Sequence, residues 1–211
     1  MKKIDVFIIF NTLLFLFLCI FRYYARFIEY RGSAHVEEFF IYAIFILIGI
    51  VALWWVFRNY EFNSLLLLLV QCGILMHFSG AFIQIEGSRL YDAYIFNIRY
   101  DKYVHFINAF SISILISRLF HIQHIALTRV NRIFVVLVVM GLGALVEIVE
   151  YLVVLTVPHH GVGGYDNNMQ DLIANFLGSC SFAFLHSLAH KHRSNKATPY
   201  IIITPTTIQS D

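Results

Sequence analysis

Acid and imidazole groups recur in four stretches of this 211-residue chain that are otherwise strongly apolar: His77, Asp101 with His105, Glu147 with Glu150, and Asp171 with Asn175. Two imidazoles with two to four carboxylates make a mixed nitrogen and oxygen donor set, which suits Zn, Mn or Fe better than Cu(I), a metal that prefers sulfur. A divalent ion so held could activate water. Glu147 and Glu150 carry the argument, because both lie deep in an apolar run with no Lys or Arg within a turn. Burial leaves such a pair three outcomes: sharing a proton, pairing with a distant cation or binding a metal.

The chain that must position these groups is 59% hydrophobic, 17% aromatic and only 13% charged, with a mean hydropathy of +0.73. That profile is far from a soluble globular one. A span needs about 20 mostly apolar residues. Six runs qualify: roughly Ile4 to Phe21, Phe39 to Phe57, Phe62 to Ile85, Tyr103 to Phe120, Ile133 to Val157 and Asp171 to Leu188. Backbone hydrogen bonds must close within each segment in lipid, so these long runs read as helices and not as the short alternating strands of a barrel. The expectation is an all-α polytopic membrane protein, with a bundle of six transmembrane helices over residues 1–190 and a flexible polar C-terminal tail over 191–211. No repeat or linker divides it, and no soluble domain fits.

Met1-Lys2-Lys3 and the apolar run after it resemble a signal peptide, but Arg22, Tyr23 and Tyr24 follow without a small-residue cleavage site, so the first helix is expected to be retained. Cys19, Cys72 and Cys180 all fall within spans, where they pack as small apolar residues and imply no disulfide. Lys2, Lys3, Arg58, Arg118, Arg129, Arg132, Lys191, Arg193 and Lys196 lie on one side, against Arg22, Arg26, Arg31, Arg89, Arg99 and Lys102 on the other. The excess places both termini in the cytoplasm. The net charge of +2 reflects this flanking bias. No basic stripe with interleaved aromatics suggests nucleic acid as a partner.

In a six-span chain the third and fifth helices end where the fourth and sixth begin. His77 then lies roughly 12 Å deep and the two glutamates roughly 10 to 15 Å deep at 1.5 Å rise per residue. Asp101 and Asp171 open their helices. All fall in one half of the bilayer, the outer half on the charge count. Residues three or four apart share a helix face, which yields four stripes: Gly73, His77, Gly80 and Gln84; Asp101, His105 and Asn108; Gly143, Glu147 and Glu150; Asp171, Asn175 and Gly178. Each carries a glycine or an amide, and small residues let membrane helices approach closely, so the stripes are expected to face inward.

Simpler readings stand beside this one. His77 could be a packing histidine, and Asp101 and Asp171 could cap free backbone N–H groups at helix starts. Pro158-His159-His160 looks like a loop metal site, yet adjacent histidines point apart. Gly161-Val162-Gly163-Gly164 lacks the lysine of a phosphate loop and reads as a flexible turn able to fold over the site. Ser111 and Ser113 lack the context of a nucleophile.

Three segments in order, Arg99-Tyr100-Asp101-Lys102-Tyr103-Val104-His105-Phe106, Leu145-Val146-Glu147-Ile148-Val149-Glu150-Tyr151 and Met169-Gln170-Asp171-Leu172-Ile173-Ala174-Asn175-Phe176-Leu177-Gly178, resemble the YjdF-like bacterial inner-membrane proteins. More distantly they resemble VanZ-like proteins, which share an Asp-Lys-x-x-His segment, an intramembrane Glu and a late Asp-x-x-x-Asn segment. The resemblance covers roughly His77 to His190, and it implies topology and site position but no reaction. Where the family usually shows Asp-Thr-Met-x-Asp, this chain has Asn167-Asn168-Met169-Gln170-Asp171. An upstream carboxylate is thus replaced by an amide or displaced to Asp166.

The leading expectation is a metal-dependent hydrolase or transferase at the outer leaflet of the inner membrane, acting on a lipid or lipid-linked substrate. His77, Asp101, His105, Glu147 and Asp171 would be ligands, Glu150 the proton-transfer base, and Asn175 would hold substrate or support a ligand. The rivals are a small proton-coupled transporter and a VanZ-type protein that binds a lipid or antibiotic without catalysis. Small size and the absence of an inverted repeat weigh against the transporter, although a homodimer could supply a second half.

Overall fold

The structure is a computed structural model that describes residues 1–156 and 163–196. α1 (Lys3–Leu18) continues through a π-helical turn at Cys19–Tyr23 into α2 (Tyr24–Arg31). A 3-10 turn at Ser33–His35 leads into α3 (Val36–Phe57), and α4 (Ser64–Phe82) follows. Two hairpins come next, β1 (Gln84–Ile85) with β2 (Ser88–Arg89) and β3 (Tyr94–Ile95) with β4 (Ile98–Arg99), separated by a 3-10 turn at Leu90–Asp92. α5 (Tyr100–Ile122), α6 (Arg129–Thr156) and α7 (Tyr165–Lys196) complete the chain. Six helices are long and apolar enough to cross a membrane: Lys3–Glu29, Ser33–Phe57, Ser64–Phe82, Tyr100–Ile122, Arg129–Leu152 and Tyr165–Ala189. The six-span, all-α reading therefore holds.

Where the elements differ from expectation, the cause is local. Residues 22 to 31 continue the first helix, because Tyr23 and Tyr24 keep right-handed helical angles and only Gly32, at φ +80°, turns the chain. A side chain would strain that conformation. α7 begins at Tyr165, a turn and a half before Asp171. Hydropathy marks where a helix becomes apolar, whereas Asp166, Asn167, Asn168 and Gln170 are polar residues that a helix accommodates in its first turns. α7 also continues through Lys196, beyond the expected boundary at 190. Pro158, His159, His160, Gly161 and Val162, and the tail from 197 to 211, lie outside the described residues.

The hairpins are two copies of one design ten residues apart. Each two-residue turn has positive φ at both positions, Glu86 (51°) with Gly87 (81°) and Phe96 (50°) with Asn97 (62°), the geometry whose twist matches paired strands. Leu90 N–H donates to the Ile83 carbonyl and Tyr100 N–H to the Ala93 carbonyl, each at 2.8 Å, so both hairpins close alike.

α5 is the central element, packed most extensively against α7 and also against α4 and α6. Ala109, Val135, Val139 and Phe182 form the apolar core where α5, α6 and α7 meet. The outward faces, with residues such as Phe45, Trp55, Val149 and Phe184, are exposed and apolar, as a lipid-facing surface requires. Glycine notches let the inner helices close. A Cβ on Gly178 would collide with the Phe106 carbonyl oxygen of α5, and one on Gly73 would collide with the Asn108 amide. Ser111 and Ser113 are spent within α5, donating at 2.8 Å to the carbonyls of Ile107 and Ala109.

Gly178→Val should force α5 and α7 apart and cost about 1 to 3 kcal/mol, the usual range for overpacking. Gly141, with nothing within 4 Å of its would-be Cβ, is the control. Thermal unfolding of the purified variants in detergent checks this: Gly178→Val should melt well below the parent and Gly141→Ala should not.

Candidate functional site

α5 enters the bundle with Asp101 in its first turn, where the helix dipole favours a negative charge. Arg99 occupies the cap position and no side chain caps the backbone there. Asp171 lies well inside α7 and is 1% exposed, so the capping alternative does not apply to it. The two aspartates face each other across the α5–α7 contact. His105, one turn after Asp101, reaches both: its Nε2 lies 3.6 Å from Asp101 Oδ1 and 3.3 Å from Asp171 Oδ1. One donor atom from each of Asp101, His105 and Asp171 falls within 4.8 Å of the others.

The groove between them holds a residue that the sequence left in the charge count. Lys102 is only 8% exposed, and its Nζ donates to Asp171 Oδ1 at 2.7 Å, Asn167 Oδ1 at 2.9 Å, Asp101 Oδ2 at 3.1 Å and the Asn167 carbonyl at 3.2 Å. A buried ammonium with three protons is thereby fully satisfied. Its neighbour in sequence, Asp101, had hidden it: an Asp-Lys pair at a membrane boundary looks like ordinary flanking charge. The missed signal is position, because Lys102 sits inside the helix, two residues past its start.

Asn167 is the second residue the sequence did not place. Its Oδ1 accepts from Lys102 and, at 2.7 Å, from Arg99 Nη1, while its Nδ2 donates to Asp171 Oδ2 at 2.7 Å. An amide can accept from two cations through its oxygen while its nitrogen donates to a carboxylate. Asn167 thus reaches the cluster, whereas Asp166 is exposed.

α6 contributes from its inner edge. Leu145, Val146, Ile148, Val149, Tyr151 and Leu152 of α6 are all at least half exposed, whereas Glu147 is 6% exposed. Both of its carboxyl oxygens are buried without a hydrogen-bond partner among the described residues. Glu147 lies within electrostatic range of Glu150, Asp171, Asp101 and Lys102, and Glu150 within range of His105, Asp171 and Asp101. Asn175, 5% exposed, sits against Gly143, one turn before Glu147, where a Cβ would come within 2.6 Å of its Nδ2. It therefore braces α7 on α6 beneath the acids.

His77 is placed apart from the Asp101, His105 and Asp171 cluster. It is exposed on α4, near enough to sense the charges of His105 and Asp101, and its Nδ1 is hydrogen-bonded to the Tyr91 hydroxyl. The 3-10 turn between the hairpins brings Tyr91 there, its ring seated over Gly80, where a Cβ would meet the ring at 2.7 Å. Burial, with the charges of Asp101 and Glu150 nearby, holds the phenol above its ordinary range, so the hydroxyl stays protonated beside the His77 ring. Asp92 anchors the turn, accepting from Arg99 at 2.6 Å and Arg89 at 3.0 Å.

Asp101 and Asp171 thus contact one buried ammonium and one imidazole, and Glu147 and Glu150 lie within electrostatic range of the same group. Protons or a further cation must offset the excess negative charge. Lys102→Met should leave Asp171 buried without its cation and destabilise the fold by about 3 kcal/mol or more. Adding Asp171→Asn to Lys102→Met should recover part of that loss. A double-mutant cycle on melting temperature measures the coupling, which additive losses would contradict.

Residues 9–192 match the family described as "Predicted membrane protein (DUF2238)". No curated protein and no solved structure matches the chain. A match over most of the chain, joined to six apolar helices, makes this an integral membrane protein and a member of the Predicted membrane protein (DUF2238) family, the family of the YjdF-like proteins that its motifs resemble.

Proposed function

We propose that this chain is a membrane-embedded hydrolase or transferase that depends on a divalent metal ion and acts on a lipid or lipid-linked substrate in the outer half of the inner membrane. The observation that carries this reading is Glu147, a buried carboxylate without a hydrogen-bond partner, beside an Asp101, His105 and Asp171 donor set already gathered within 4.8 Å. An unpaired buried acid is costly, and a cation beside it removes the cost. Asp101, His105 and Asp171 would hold the ion with Glu147 completing the set, a nitrogen and oxygen mixture that fits Zn, Mn or Fe. When bound, the ion supplies Lewis acidity to a water or a substrate oxygen.

The residues of the chain then divide the remaining work. Glu150, on the same face of α6 and within range of His105, takes or returns a proton. Asn175 is a positioning residue, bracing the helix that carries Glu147. Lys102 and Asn167 orient Asp171 through hydrogen bonds to its two oxygens. His77 belongs to the rim, held by Tyr91, and serves substrate contact better than ligation. A bacterial inner-membrane location with both termini in the cytoplasm puts this end of the bundle on the outer side.

A second reading is favoured by Lys102 itself. Its ammonium already lies 2.7 Å from Asp171 and so can act as the resident cation, which suits a metal-free relay in which His105 and the acids pass protons during transport. A VanZ-type role in binding a lipid or antibiotic without turnover, and a homodimer, belong with that alternative.

Metal analysis separates the readings. Protein purified without chelator should carry about one divalent ion per chain, and Glu147→Ala and Asp171→Asn should each lose most of it. Metal-free protein whose proteoliposomes carry flux driven by a proton gradient, with that flux abolished in Glu150→Gln, would replace the hydrolase with the carrier.

A further inference from the structure

At the opposite end of the bundle is a second polar feature that the acid site does not use. α5 carries the chain about 32 Å away from Asp101 at 1.5 Å rise per residue before it ends at Ile122. There the turn into α6 opens a cavity of about 550 Å³ lined by Ala126, Leu127, Thr128, Arg129, Arg132 and His186. Every ionisable residue in that lining is basic. Arg129 and Arg132 are three apart at the start of α6 and so share a face, where two like charges repel. The Arg129 guanidinium has no hydrogen bond or ion pair among the described residues, and that of Arg132 uses only Nη1, donating to the Leu127 carbonyl at 3.1 Å. The α6 start adds to the same field. Thr128 Oγ1 accepts from Asn131 N–H at 3.2 Å, leaving the N–H groups of Arg129 and Val130 directed out of the helix end, where partial positive charge accumulates.

An apolar-walled recess with two guanidinium groups, an imidazole and a helix start is matched by an anion with several acceptor oxygens. A phosphate fits best, because a guanidinium fork engages two of its oxygens at once. We propose that this cavity binds the phosphate of an anionic lipid headgroup, at the membrane face that carries Lys2, Lys3, Arg58 and Arg118. Leu127, Ile125 and Val130 flank the recess, the latter two exposed, and offer apolar contact to acyl chains beside the phosphate. The charge count assigns this face to the cytoplasmic leaflet, whose anionic lipids attract basic residues.

Native mass spectrometry of the full chain, released from micelles doped with phosphatidylglycerol or phosphatidylcholine, tests the assignment. The parent should retain phosphatidylglycerol in preference. Arg129→Gln should weaken that retention roughly fivefold, and Arg129→Gln with Arg132→Gln about 25-fold, while Arg118→Gln leaves it unchanged. Because Arg132 also supports the α5–α6 turn, Arg129→Gln and the charge-conserving Arg129→Lys guard against misfolding, and Arg129→Lys should retain most of the binding. Inorganic phosphate at millimolar concentration should not displace the lipid; displacement would make the ligand free phosphate instead. Equal retention of both lipids, or phosphatidylglycerol binding unaffected by Arg129→Gln, would overturn the proposal. The readout is independent of the acid site, so its failure leaves the metal reading untouched.

Discussion

The bundle is organised around one buried ion pair. Lys102 of α5 lies 2.7 Å from Asp171 of α7, in a part of the bundle where neither charge has water to fall back on. An isolated charge in that setting is costly, so the two helices can meet there only in a register that brings the pair together. Asn167 makes the register stricter, because its amide must accept from Lys102 and Arg99 while donating to Asp171. The chemistry of the site and the packing of its two central helices are therefore the same set of contacts.

Small residues let that contact close. Gly178 lets α7 lie directly on the Phe106 backbone, and Gly73 and Gly143 accept the side chains of Asn108 and Asn175. Apolar side chains gain little from leaving lipid for a protein interior, so close approach and interhelical polar contacts supply the association energy that a soluble core would take from water. The same economy explains α6, whose outer residues face lipid while Val135 and Val139 turn inward to the core and Glu147 to the acids.

The end of the bundle that holds the acid cluster is closed by folded structure and not by loose connection. Two hairpins of matching design carry Arg89 and Arg99 to a shared Asp92, and the turn between them delivers Tyr91 to His77. An extramembrane segment thereby orients an imidazole at the edge of the acid cluster. At the far end, Arg129 and Arg132 stand without a carboxylate in the cavity they line, so the two ends of the bundle carry opposite electrostatic character.

Much of this was legible in the chain. Apolar runs of about 20 residues determined six spans, because lipid leaves the backbone no partner but itself. Helical spacing determined that Asp101 with His105, and Glu147 with Glu150, share faces, and Asn108 on the first and Gly143 on the second marked those faces as internal. Hydropathy could not locate the true start of α7, since polar residues extend a helix beyond its apolar part, and it therefore presented Asp171 as a cap. Nor could it reveal the twin hairpins, whose strands are only two residues long. Which groups actually meet was decided by tertiary structure alone. Lys102 pairs with an acid 69 positions away, Asn167 binds both of them, and His77 turns to Tyr91. Spacing along a helix determines direction, whereas the distance between charges on different helices depends on how closely their backbones approach, and that is set by packing.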